Sequence, residues 1–256
     1  MEVYIMKRFE NMVAVVTGAA DGQGKAEAML FAREGANVVI TDIQGELLEK
    51  TADEIRNTTG AGVLSVTVDS ASEDGWAQLV KDAVAKFGKI NILVNNAGIR
   101  PMGTVEEFDI EVFNRTMDVD VVGLALGMKY CIPEMKKSGY GAIVNTSSVY
   151  GPSFGAGNFI SYCTAKSAVV GLTKAAVVDL DGTGIRVNTL HPGFIISPMT
   201  IGRPQEIKDK FLSRTPVGRH GTCEDIAEAV AFLCSDKAGF INGVSLFVDG
   251  GLSVKF

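Results

Sequence analysis

The stretch that most limits how this chain can fold is Val13-Ala-Val-Val, an apolar run that ends in Thr17-Gly18-Ala19-Ala20-Asp21-Gly22-Gln23-Gly24. A short run of branched apolar residues reads as a buried strand, and Ala26 to Arg33 beyond the glycines reads as a helix. Glycines at such a turn let the backbone reverse sharply and come close to a ligand, while the helix N-terminus behind them favours a negative group. Strand, glycine turn and helix together form the context of a dinucleotide phosphate site.

The same alternation continues along the chain. Apolar runs at Asn37–Thr41, Val63–Val68, Asn91–Val94, Ala142–Val144, Ile185–Leu190 and Ser245–Val248 read as six further strands. Helical stretches stand between them: Gly45 to Asn57, Glu73 to Phe87, one long helix from Glu106 to Lys137 with a bend before Pro133, the apolar stretch through Leu180, and Glu224 to Cys234. The expected fold class is α/β, a single-domain doubly wound Rossmann fold with a seven-stranded parallel sheet flanked by helices and a ligand at the C-terminal strand ends. It should span residues 1–256, with residues 1–11 as a short N-terminal extension.

Composition sets outer bounds. With 256 residues, 46% hydrophobic and 21% charged, the chain suits one large core and leaves no room for a second substrate domain. A net charge of −6 argues against nucleic acid or an anionic membrane as partner. Cys131, Cys163, Cys223 and Cys234 form no C-x-x-C pair, so no metal site or disulfide framework is expected and a reducing cytosol suits them. Charges at Glu2, Lys7, Arg8 and Glu10 interrupt the N-terminus, and no apolar run approaches a membrane span, so a cytoplasmic, unprocessed protein is expected.

Chemistry concentrates between Asn145 and Lys166. Tyr162 and Lys166 are four apart, so a helix capped by Ser161 would bring phenol and ammonium together on one face. An ammonium about 4 Å away is worth roughly 4 kcal/mol to a phenolate at an effective dielectric near 20, which fits the phenol for proton exchange with a carbonyl or alcohol near neutral pH. Ser148, just past the Ala142-Ile-Val strand, can hydrogen-bond the same substrate oxygen from the other side. Asp42 stands at the end of the second strand, where a carboxylate can accept ribose hydroxyls and repel a 2′-phosphate.

Thr-Gly-x-x-x-Gly-x-Gly, Asn95-Asn96-Ala97-Gly98, Ser-Ser followed by Tyr-x-x-x-Lys, and His191-Pro192-Gly193 occur in an order that resembles the short-chain dehydrogenase/reductase family over residues 12 to 251. Gly127-Met-Lys, Ile132-Pro and Asn145-Thr-Ser-Ser look most like its bacterial hydroxysteroid dehydrogenases. The resemblance implies reversible hydride transfer between NAD(H) and a secondary alcohol or ketone, with a bile acid, steroid or similar bulky apolar cyclic alcohol as the leading substrate. It assigns acid/base work to Tyr162, tuning of that phenol and nicotinamide-ribose contact to Lys166, and orientation of the substrate oxygen to Ser148. Asp120 falls where the family has an Asn whose main-chain carbonyl holds a relay water, so its work is expected to run through the backbone.

By the same resemblance the cofactor meets Gly18, Asp21, Gly22, Gln23 and Gly24, with the glycines at its phosphates, and its adenosine end meets Asp42, Ile43, Asp69, Ser70, Asn96, Ala97 and Gly98. The nicotinamide end meets Tyr162, Lys166, Pro192, Gly193, Ile195 and Ser197. Gln23 and Ser197 depart from the family's usual aliphatic residue and Thr. Asp21, where NADP-dependent relatives commonly carry a base, reinforces Asp42 in favour of NAD. His191 is expected to be structural. Ser148, Tyr150, Phe154, Tyr162, Phe194 and Met199 should line an apolar, roomy substrate pocket, under a mobile lid from Pro198 to Val217. The helix after Tyr162 is apolar on nearly every face, which suggests burial or a subunit contact and hence a homodimer or homotetramer.

Two other activities and one non-enzymatic role compete. A 3-oxoacyl-carrier-protein reductase shares the motifs but usually prefers NADPH, a nucleotide-sugar epimerase needs a C-terminal substrate domain, and a redox sensor would bind NAD without turnover.

Overall fold

The computed structural model describes residues 7–255. Seven strands, β1 (Val13–Thr17), β2 (Asn37–Asp42), β3 (Val63–Thr67), β4 (Ile92–Asn95), β5 (Ala142–Thr146), β6 (Arg186–Pro192) and β7 (Ser245–Val248), form one sheet in the order β3-β2-β1-β4-β5-β6-β7. Every pairing is parallel. Strands buried on both faces need no alternation, and β1, β4, β5 and β6 are buried at every position. Helices α1 (Gly22–Arg33), α2 (Gly45–Thr59) and α9 (Cys223–Cys234) cover one face. The other is covered by α3 (Glu73–Phe87), α5 (Gly123–Ser138) and α6 (Ile160–Asp179). The expected α/β architecture is what the chain adopts, with strand ends within two residues of expectation.

Strand order reverses between β1 and β4, and the C-terminal ends of these strands open a crevice, the position where doubly wound sheets hold ligands. The loops after β1, β4, β5 and β6 therefore converge at one site.

Several expectations need correction. Helix α1 begins at Gly22 rather than Ala26, because Asp21 takes the N-cap position and accepts the Gly22 N–H at 2.7 Å. Gln23 consequently lies in the first helical turn. The long helix starts only at Ile110, where Asp109 accepts the N–H groups of Glu111 and Val112 at 2.8 and 3.1 Å. It comprises α4 (Ile110–Met117), a π-helical turn at Asp118–Val122 and α5, so its irregularity lies at Asp120, and Pro133 sits inside α5. Ser161 does not cap α6; Phe159 occupies that position, and Ser161 is buried in the first turn.

The N-terminal extension is not a loose appendage over its described part. Phe9 is fully buried with its ring edge-on to Phe31 at 4.9 Å, and Arg8 pairs with Glu34 and, at 3.0 Å, with Glu228. Residues 1–6 lie outside the described residues. No described helix is long and apolar enough to cross a membrane.

Candidate active site

The four converging loops enclose a cleft of about 1070 Å³. Its floor at the β1 end is held by Thr17, whose Oγ1 accepts the N–H groups of Asn96 and Ala97, each at 3.0 Å. Asn96 Nδ2 returns hydrogen bonds to the carbonyls of Thr17 and Gly18 at 3.0 and 3.2 Å, so the Asn-Asn-Ala-Gly turn braces the glycine loop. Asn95 binds β5 instead, donating to Asn145 Oδ1 at 2.8 Å. Gly18 has φ +65°, and a Cβ there would come within 2.9 Å of Ala97 Cα. A side chain at Gly24 would lie 2.3 Å from the Gly18 carbonyl oxygen. Only glycine permits this close crossing, and it leaves the start of α1 open to the cleft.

Asp42 lies at the end of the cleft where the adenosine is expected. One carboxylate oxygen accepts the Ala20 N–H at 3.2 Å and the other the Gln44 N–H at 3.0 Å, while Ile43 stands exposed beside it. Among the described residues neither Asp21 nor Asp42 has a salt-bridge partner. Asp69 differs: Arg115 holds it at 2.7 Å, and its other oxygen accepts the Ala71 N–H at 3.0 Å. Ser70 lines the cleft beside it and spends its carbonyl on Trp76 Nε1 at 2.9 Å.

Tyr162 and Lys166 project from α6 into the same cleft, with Lys166 Nζ 5.6 Å from the Tyr162 ring centroid. Lys166 is 3% exposed, donates to the Thr146 carbonyl at 3.0 Å, and is anchored through its own carbonyl by Ser147 Oγ at 2.7 Å. Asp120, fully buried, places Oδ2 3.0 Å from Lys166 Nζ and accepts the Ile99 N–H on Oδ1 at 2.8 Å. The carboxylate thus acts directly on the lysine, contrary to the expectation that position 120 works through its backbone alone. Burial opposes the lysine's charge, but Asp120 and Tyr162 more than compensate and hold Lys166 above its ordinary pKa. Burial pushes the Asp120 carboxyl up, while Lys166 and the Ile99 N–H pull it back.

Ser148 follows β5 and lines the cleft, its Oγ accepting the Tyr150 N–H at 3.1 Å. His191 supports it from behind: Nδ1 lies 3.0 Å from the Ser148 carbonyl and the ring stacks on Phe247 at 4.5 Å. Burial lowers its pKa, which leaves a neutral, structural imidazole as expected. Pro192, Gly193, Ile195 and Ser197, expected at the nicotinamide, line the cleft after β6. Gly193 is glycine for packing, since a Cβ would lie 2.7 Å from Asp249 Cα. Ser197 caps a short helix, α7 (Pro198–Ile201), and the Ile195 carbonyl already accepts from Thr200.

Tyr150, Phe154, Phe194 and Met199 all line the cleft, as expected for a substrate wall. The expected lid is folded as α7 and α8 (Gln205–Arg214), and Phe211 on α8 stacks on Phe194 at 4.7 Å and leans on Tyr150 at 6.3 Å. Sequence reasoning missed two cations here. Arg100 and Arg203 each place their guanidinium carbon 5.5 Å from the Phe159 ring centroid, and both line the cleft. The pocket is therefore not simply apolar.

A family model described as Enoyl-(Acyl carrier protein) reductase matches residues 18–253. The cis-4-hydroxycyclohexanecarboxylate dehydrogenase of Sinomonas cyclohexanicum is 42% identical over 244 residues, 95% of this chain and 97% of that one. The chain belongs to the short-chain dehydrogenase/reductase family. The cyclohexanol dehydrogenase of Acinetobacter sp. (strain SE19) is 39% identical over the full length of both proteins. Among solved structures, levodione reductase superposes with a TM-score of 0.91 at 33% identity, covering 97% of this chain and 100% of that one. This short-chain dehydrogenase/reductase is accordingly an oxidoreductase.

Proposed function

We propose that the protein is a single-domain, NAD-dependent dehydrogenase of cyclic secondary alcohols. The observation that carries the reading is the joint placement of Tyr162, Lys166 and Ser148 on one wall of a cleft whose other end is a glycine-lined anion cradle. The cradle fits a dinucleotide because Gly18, Gly22 and Gly24 bring backbone to the α1 N-terminus, and Asp42, with no salt-bridge partner among the described residues, suits a ribose diol rather than a phosphate. When bound, the nicotinamide supplies the hydride acceptor or donor. The chain's residues manage the proton. Tyr162 takes it from the alcohol hydroxyl during oxidation and returns it to the carbonyl oxygen during reduction. Lys166, fixed by Thr146 and Asp120, keeps positive charge beside the phenolate, and Ser148 holds the substrate oxygen in line.

A ring-shaped substrate is supported by the aromatic wall of Tyr150, Phe154 and Phe194 and by the relatives named for cyclohexane-ring alcohols. Turnover over a panel of alcohols, from cyclohexanols to bile acids, distinguishes a monocycle from the steroid that the sequence motifs suggested. The decisive variant is Tyr162→Phe, which keeps the ring and removes the proton carrier. Turnover should fall by roughly a hundredfold to ten-thousandfold with NADH binding little changed. If Tyr162→Phe stays active while Tyr150→Phe is dead, the acid/base is misassigned; if the wild type binds NADH but oxidises no alcohol, the sensor reading replaces this one.

A further inference from the structure

The charges lining the cleft are segregated. Its carboxylates, Asp21, Asp42 and Asp69, all lie at the end formed by β1, β2 and β3, where the adenosine is proposed to bind. The opposite wall carries Arg100, Arg203, Lys210, Arg214 and Lys255 and no carboxylate. In a chain of net charge −6 this local excess of cations requires an explanation.

Arg100 and Arg203 sit nearest the chemistry. Both guanidiniums lie 5.5 Å from the Phe159 ring centroid, immediately before the helix that carries Tyr162. Arg100 is held in place: Nη2 donates to the Met199 carbonyl at 3.2 Å, and the strand bridge between Gly103 and Phe159 ties its segment to the start of α6. Neither arginine has a salt-bridge partner among the described residues. Burial, then repulsion from Arg203, lowers the Arg100 pKa, whereas Tyr162 and Tyr150 act in the opposite sense. Two half-buried like charges on one ring, without a counter-ion, cost free energy that an incoming anion would recover. They are remote from Asp42, so they are not placed to read a cofactor 2′-phosphate.

We propose that Arg100 and Arg203 form an anion subsite for a carboxylate on the substrate, so that the alcohol is a cyclic hydroxy acid held by its carboxylate at the arginines and by its hydroxyl at Tyr162 and Ser148. A guanidinium presents a planar fork of donors that matches a carboxylate, and the aromatic rings of Phe159 and Tyr150 offer apolar surface for the ring that joins the two groups. The proposal rests on the dehydrogenase reading for the hydroxyl end only.

Binding of unreactive ligands tests it without turnover. Cyclohexanecarboxylate and the neutral cyclohexanecarboxamide would be titrated calorimetrically into the protein saturated with NAD. The acid should bind at least about tenfold more tightly than the amide, a preference that shrinks with added sodium chloride. Arg100→Gln and Arg203→Gln should each reduce the preference at least about threefold, and the double variant should abolish it, with NAD affinity retained. Equal binding of acid and amide by the wild type overturns the proposal irrespective of how the variants fold. So does a preference that persists in the folded double variant, or an arginine variant that loses NAD affinity rather than acid preference. An active alcohol dehydrogenase with no acid preference sinks the subsite alone; acid preference without any turnover sinks the dehydrogenase reading alone.

Discussion

An asparagine at position 120 would offer Ile99 an amide oxygen but leave the buried Lys166 ammonium without its carboxylate partner; aspartate offers the same acceptor and pairs with the ammonium. Asp120→Asn should therefore keep the turn and leave kcat within about tenfold of wild type, under roughly 1.4 kcal/mol. A thousandfold loss of kcat would mean that the carboxylate itself takes part in the reaction. Asp42 is the second residue whose role is readable from its surroundings, because no cation among the described residues pairs with it and its two oxygens are already oriented by Ala20 and Gln44. NAD should be preferred over NADP by at least about a hundredfold in kcat/KM, roughly 2.7 kcal/mol, and Asp42→Ala should narrow the gap. Equal use of both cofactors by the wild type would refute this.

Helix α1 couples the phosphate cradle to α9, and its middle holds a group that the site does not use. Glu27 is fully buried, neither carboxylate oxygen has a hydrogen-bond partner among the described residues, and burial raises its pKa from 4.5 to about 8. The folded protein therefore retains a proton that the unfolded chain releases above pH 4.5, so stability falls as pH rises from there through about 8. At about 1.4 kcal/mol per unit the whole window is worth roughly 5 kcal/mol. Glu27→Gln should melt near the wild type at pH 5 and well above it at pH 8.5; a Tm difference independent of pH would show that Glu27 is not held neutral. The elements themselves were legible because each strand is a short apolar run bounded by glycine or charge, and the catalytic pair because a spacing of four fixes one helix face. The α6 cap was misread because Ser161 has a side chain suited to capping, while the strand bridge between Gly103 and Phe159 sets where the helix begins. Arg100 and Arg203 gave no signal, since each follows a loop whose course only the assembled sheet determines. An arginine directly after the Asn-Asn-Ala-Gly-Ile turn was the one available hint.

At the level of the whole molecule, α6 is less buried than its composition suggested. Tyr162, Ala165, Lys166, Val169 and Thr173 face inward, but Val178 is 74% exposed, and Gly171 and Ala175 are exposed as well. Helix α4 packs beside it and presents Ile110 and Val112 to solvent. A second apolar region lies at the open edge of the sheet, where Phe240 is fully exposed and Phe247 on β7 is partly so. Exposed apolar surface in two separate places suits two different two-fold contacts, and two such contacts close into a tetramer with dihedral symmetry. The expected mass in solution is accordingly four times the 27.1 kDa of one chain. Val178→Glu should disrupt the helix contact and Phe240→Glu the edge contact, each leaving a dimer by light scattering, with the double variant monomeric. Neither side chain lines the cleft, so NADH binding reports whether each variant is still folded. A monomeric wild type at tens of micromolar would refute the assembly, and a tetramer that survives both substitutions would place its interfaces on other surfaces of the chain.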